Sequence, residues 1–200
     1  KYGRGVELYV DDSLRPVGLQ KTLYDIHEPA AIAKNLGKIR PSGLIVIDEE
    51  VLNSPRGIAP PSDDPTSPTP HSTGAAFDLK FRLIPDPYTL TYSSEADFLD
   101  MGNISGVAET YRPDFYEKPP QDRSETLSKM SVENRNKLIE NWESYRELRR
   151  AFYYTMTKLS PNPLHVNPKE WWHWSYGDQM HARQEKRLGK HVVARYGAVH

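Results

Sequence analysis

The sequence predicts a single domain of mixed α and β structure over residues 1–200, and three observations predict it. Two hundred residues with 37% hydrophobic content can bury one core and fall short of two ordinary domains. From Ala75 to Leu83 the apolar residues alternate with polar ones, the period of a strand with one face on a core. From Ser131 onward Leu138, Trp142, Tyr145, Leu148, Phe152, Met156 and Leu159 recur at spacings of three and four, the period of an amphipathic helix.

Taken in order, Val6 to Val10 is a short strand-like stretch followed by an Asp-Asp-Ser turn, and nothing chemical stands out in residues 1 to 30. Pro29 to Leu36 reads as a short helix with proline in its first turn and Gly37 as its stop. Leu44 to Ile47 is an apolar, β-branched run of strand length, expected to be a central strand buried on both faces. Six prolines between Pro55 and Pro70 mark an extended loop expected to wrap a site. In the strand that follows, Phe77, Leu79, Phe81 and Leu83 face the core, which sends Asp78 to the opposite face, where Ala75 and Ala76 leave room.

Residues 84 to 123 carry turn signals and tyrosines with little periodicity and read as irregular loops lining a cleft. Ser131 is the expected N-cap of one long helix, with Pro161 past its end. Lys169 to Tyr176 reads as a Trp-rich strand, and the basic tail from Arg183 to Arg195 as a surface helix with a solvated charged face.

Lys plus Arg nearly balance Asp plus Glu for a net charge of -1, which disfavours nucleic-acid or anionic-membrane partners. No run approaches the roughly 20 apolar residues of a membrane span, so a soluble chain is expected. With no cysteine, any metal must be held by His and carboxylates. The absence of cysteine fits periplasm and cytoplasm alike. The chain begins at Lys1, in keeping with a trimmed chain or a mature one after signal removal, and a periplasmic or extracytoplasmic location is the expectation. Oligomeric state is left open.

Chemistry concentrates in two stretches, Thr69-Pro70-His71-Ser72-Thr73-Gly74-Ala75-Ala76-Phe77-Asp78 and Glu170-Trp171-Trp172-His173. A catalytic zinc takes three protein ligands and keeps a fourth position for water, whose pKa it lowers to roughly 7. His71, Asp78 and His173 can supply the three, with Gly74 allowing the tight turn between the first two. Glu170 is then placed to take a proton from the activated water and pass it to the leaving amine. In a regular strand positions 170 and 173 face opposite ways, so Glu170 must sit at a strand entrance or a bulge. On spacing alone the His71-to-Asp78 pair is a weak signal, and a surface pair explains Glu170 and His173 better than a metal site does. His27, His165, His181, His191 and His200 read as ordinary histidines, although His165 and His181 flank the second stretch and could compete for a metal.

The two stretches together resemble the Ser-x-His-x-x-Gly-x-Ala-x-Asp and Glu-x-Trp-His signatures of the VanX-type D-alanyl-D-alanine dipeptidases, within the zinc DD-peptidase and Hedgehog-like fold. The lead-in Ile58-Ala59-Pro60-Pro61-Ser62 and the stretch Leu99-Asp100-Met101-Gly102 are similar as well, and the resemblance runs patchily over residues 43 to 178. It implies an α+β fold, with a small antiparallel sheet carrying one zinc ion and helices packed on the other face. It implies His71, Asp78 and His173 as the zinc ligands, Glu170 as the catalytic base, and Thr69 in place of a substrate-contacting Ser. The implied substrate is a D-Ala-D-Ala-type dipeptide or the end of a peptidoglycan stem, cleaved by metal-activated water.

Two departures qualify that implication. Where the family shows Asp-x-Tyr-Arg-Pro, with an Arg that stabilises the oxyanion, this chain has Asp48-Glu49-Glu50-Val51-Leu52. Losing one oxyanion donor costs about a hundred- to a thousand-fold in rate, so low activity is expected unless another cation enters the site; Arg56, nearest in sequence, and Arg40 are the candidates, although Arg56 reads more simply as a solvent-exposed loop residue. Where the family shows Met-Gly-x-x-Phe-Asp, whose Asp holds the substrate ammonium, the chain reads Met101-Gly102-Asn103-Ile104-Ser105-Gly106. Asp100 or Glu109 would have to replace it, or a carboxypeptidase acting on longer stems becomes the expectation, with Trp171, Trp172 and Trp174 as possible cleft walls. The rival expectation is a zinc-binding module of the same fold that is weakly active or inactive.

Overall fold

Strand β1 (Val6–Asp12) pairs antiparallel with β2 (Ala76–Leu83), β2 with β4 (Glu170–Ser175), and β4 with β3 (His165–Asn167), giving a four-stranded antiparallel sheet in the order β1-β2-β4-β3. Helices complete an α+β architecture, as expected. The computed structural model describes residues 5–27, 60–62, 64, 66–84, 97–104, 107–159, 162 and 164–199. The expected helix at Pro29 to Leu36, the expected central strand at Leu44 to Ile47, Arg40 and Arg56 lie outside the described residues.

β2 forms as its alternation requires. Leu79 and Phe81 are buried and Phe77 packs against them, in one cluster with Phe152, Met156, Trp171 and Trp174. Asp78 accordingly faces the other side of the sheet. Helix α1 (Val17–His27) follows β1. Residues 108 to 123 form three short tight turns rather than regular helices, leading into the one-and-a-half-turn α2 (Ser124–Ser128).

The single helix expected from Ser131 is instead two: α3 (Val132–Glu140) and α4 (Trp142–Tyr154), with a wider turn at Thr155–Leu159. Ser131 caps α3 as expected, its hydroxyl accepting from the Asn134 amide. The break falls at Asn141, whose backbone leaves the helical region (φ -100°, ψ 9°). Its side chain donates to the Lys137 carbonyl at 2.9 Å, the local competition with backbone bonding that disfavours Asn inside helices. The aromatic row is core as far as Met156, but Leu159 is exposed.

Leu138, Trp142 and Tyr145 belong to a second cluster with Ile104, Phe115, Tyr116, Leu127 and Met130. Arg149 joins the two clusters. Its buried guanidinium donates to the carbonyls of Met101, Thr110 and Arg112 and to Asn103 Oδ1, and it stacks over the Tyr116 and Trp171 rings at 4.6 and 5.5 Å. Burial pulls its pKa down to about 10, still charged at neutral pH. Gly102 lies where this packing is tightest: its φ is +79°, and a Cβ there would come within 2.3 Å of the Tyr116 hydroxyl.

The basic tail departs from expectation. Helix α5 is shorter and earlier (Gln179–Arg187), capped by Asp178, and the chain then runs back without regular structure. Its end is tied under the sheet: the Val199 amide donates to Ser72 and its carbonyl accepts from Val17.

Candidate metal centre

His71 sits in the tight turn Pro70–Thr73, which Gly74 ends in the left-handed region at φ 67°. A Cβ at Gly74 would meet only Leu14, at 3.5 Å, so the backbone angle rather than space favours glycine here. Two residues later β2 begins and carries Asp78 on the face away from the core. Directly across the β2–β4 ladder from Asp78 stands His173, so the two side chains share a face.

The three side chains converge. His71 Nε2 lies 3.0 Å from His173 Nδ1 and 3.3 Å from Asp78 Oδ1, and His173 Nδ1 lies 3.1 Å from the same oxygen. His71 Nδ1 is 2.8 Å from the Ser13 carbonyl, which can only accept. The hydrogen is therefore on Nδ1, and Nε2 presents a lone pair to the cluster. Asp78 Oδ1 is buried yet has no hydrogen bond of good geometry.

Burial alone would push the Asp78 carboxyl up, but His173 and then His71 outweigh it and hold it far below the usual carboxylate range. A buried triangle of two imidazole nitrogens, with the lone pair of His71 Nε2 turned into it, and an anionic oxygen is a donor set that a divalent ion compensates. Ligands about 2.0–2.2 Å from one tetrahedral zinc stand roughly 3.3–3.6 Å apart, close to the separations here. These residues fit a metal ion.

Glu170 meets the demand made of it by the sequence. It is the first residue of β4, and the β3–β4 pairing jumps from Val166 with Trp174 to Asn167 with Glu170. Three residues of β4, 171–173, thus lie opposite a single step of β3, a bulge that reverses the strand's alternation and lets positions 170 and 173 approach each other. Glu170 Oε2 accepts from Asn167 Nδ2 at 2.8 Å and lies 3.9 Å from His173 Nδ1. Burial raises its pKa; His173 opposes this, Asp78 adds to it, and Asn167 and His71 oppose it.

Other expected site residues are placed differently. Thr69 is buried with its hydroxyl 2.6 Å from that of Ser72, so it supports the His71 turn. Asp100 accepts from the Gly102 amide and the Tyr145 hydroxyl and pairs with Lys137, and none of these partners belongs to the metal cluster. Trp171 and Trp174 are buried, and Trp172 is partly so, edge-on to Tyr111. A cavity of about 480 Å³ is lined by Trp171, Trp174, Phe152, Tyr153 and Val166. It lies on the core side of β4, and none of His71, Asp78, Glu170 or His173 lines it.

Sequence reasoning passed over Ser13 and Arg15. The Arg15 guanidinium is ion-paired with Asp12 and reaches 3.8 Å from Asp78 Oδ2, and its amide donates to the His71 carbonyl. Arg15 is thus a cation behind the oxygen that faces away from the cluster. No local signal marks it, because its contacts with His71 and Asp78 join positions far apart in sequence.

A D-alanyl-D-alanine dipeptidase from Synechocystis sp. is 29% identical to the chain over 202 aligned residues, covering 96% of the chain and 69% of that protein. No family model matches the chain, and no solved structure does. The similarity therefore rests on sequence, and it spans both stretches that converge on the metal centre.

Proposed function

We propose that the chain is a zinc metallopeptidase hydrolysing D-Ala-D-Ala-type dipeptides or peptidoglycan peptide ends. The observation that carries this reading is the convergence of His71, Asp78 and His173 with the Glu170 carboxyl beside them. A purely structural site has no need of a carboxylate poised at its edge. The relative named D-alanyl-D-alanine dipeptidase supports the substrate class.

In this reading His71, Asp78 and His173 hold zinc, which when bound polarises the scissile carbonyl and makes water a nucleophile near neutral pH. Glu170 takes the proton from the attacking water and, as the C–N bond breaks, delivers it to the amine nitrogen that leaves. Its raised pKa suits both halves of that transfer, because the carboxyl is stable enough when protonated to hold the proton between steps. Ser13 orients His71 through Nδ1, and Arg15 steadies Asp78.

The absence of an Arg at positions 48–52 favours a second reading, a zinc-binding module with little or no turnover. Metal content, together with D-Ala release from D-Ala-D-Ala and from a D-Ala-D-Ala-terminated pentapeptide with and without chelator, separates the two. Chelator-sensitive release establishes the peptidase, and the better substrate tells dipeptidase from carboxypeptidase. Zinc without release on either substrate establishes the binding module.

A further inference from the structure

We propose that His165, His181 and Glu185 form a second divalent-metal site, for a zinc-class ion, that clamps α5 onto the β3–β4 hairpin. The donor atoms of these three side chains all lie within 4.8 Å of one another. His181 and Glu185 are four positions apart, hence on one face of α5, and that face turns inward, since both residues are buried. His165 comes from the edge strand β3. A helical pair at this spacing with a third ligand from a neighbouring element is a donor set of two imidazoles and one carboxylate, which zinc accepts with a position to spare.

The separate observation that points to a ligand is His181 Nδ1. The His181 side chain is more than nine-tenths buried, and this nitrogen has no hydrogen-bond partner. A buried imidazole nitrogen left unpaired is costly, and a metal ion removes that cost.

The surroundings are built to hold these groups in place. Asp178 accepts from the His181 amide at 2.7 Å and from Ser175 Oγ at 2.9 Å, fixing the start of α5 to the end of β4. Gln184 donates to the Val166 carbonyl at 2.8 Å, fixing the next turn to β3. Glu185 Oε1 lies 2.6 Å from His165 Nε2, and Lys190 Nζ holds the other oxygen at 2.7 Å. His165 and Glu185 are thus already linked to each other, and an ion would take the place of that contact. Lys190, occupying the outer oxygen, leaves Oε1 for the ion but opposes its charge.

The site is independent of the His71–Asp78–His173 centre, and the test keeps them apart. Zn2+ is titrated into the Asp78→Ala protein by calorimetry. One equivalent should bind, and His181→Gln or Glu185→Gln in that background should weaken it by at least about tenfold. Lys190→Ala should tighten it, and this variant removes only an exposed side chain, so folding is not at stake. Failure of the Asp78→Ala protein to bind Zn2+, or binding that His181→Gln, Glu185→Gln and Lys190→Ala all leave unchanged, overturns the proposal.

Discussion

Asp78 and His173 are direct partners across the β2–β4 ladder, and the carboxylate oxygen Oδ1 stands 3.1 Å from the imidazole Nδ1. Pairing in an antiparallel ladder puts both side chains on one face without any loop having to find them. His71 needs only the Gly74 turn to join them. The candidate metal cluster is thus mounted on two paired strands and the turn that leads into one of them, with Glu170 at the bulge beside it.

Because the three donors are pre-positioned, Zn2+ binding there should stabilise the folded state. At free zinc about a hundred times the dissociation constant the gain is ~2.7 kcal/mol, or roughly 5–10 °C for a chain of this size. Scanning calorimetry with and without chelator reads this gain. Asp78→Ala should lose one equivalent of bound zinc and the share of the shift that goes with it.

Glu170→Gln preserves shape and removes the base. D-Ala release should fall about a hundred- to ten-thousand-fold while zinc content stays as in the parent. An unchanged rate would remove Glu170 from the mechanism, and lost zinc would make it a ligand instead.

Arg15→Met removes the cation behind Asp78 while keeping the apolar stem. Support of this kind is worth about ten- to a hundred-fold, so zinc affinity or D-Ala release should drop by that much. Arg15→Lys should restore part of it, which a purely packing role would not predict.

Arg149→Met should cost about 3–5 kcal/mol, since it strips donors from the buried carbonyls of Met101 and Thr110 and from that of Arg112. The urea midpoint measures this. The metal centre shares none of these partners, so zinc bound to the folded fraction should be unchanged.

Gly102→Ala combines a left-handed backbone with a clash against two rings, Tyr116 and Tyr145. A loss of about 1–3 kcal/mol is expected from the backbone strain, with overpacking adding to it. Tyr116→Phe removes the hydroxyl contact but also the hydrogen bond that this hydroxyl donates to the Gly102 carbonyl, so in combination with Gly102→Ala it should give no net recovery, again read from the urea midpoint.

Local pattern alone was enough for β2, the Ser131 cap and the core row from Leu138 to Met156, because each is set by a short-range period or a single side chain meeting its own backbone. That His71, Asp78 and His173 could converge was legible for the same reason: His71 and Asp78 are bridged by one turn, and the Glu170-to-His173 spacing itself demanded a strand entrance or a bulge. The break at Asn141 was not, since one amide side chain competing for the Lys137 carbonyl leaves the helical period of the apolar residues intact. Nor could the sequence show that Ser13 and Arg15 stand behind His71 and Asp78, that Thr69 turns inward to Ser72, or that His165 meets His181 and Glu185. Those relationships depend on which strands become neighbours and how the chain returns beneath them, and burial across the whole fold decides that rather than any local preference.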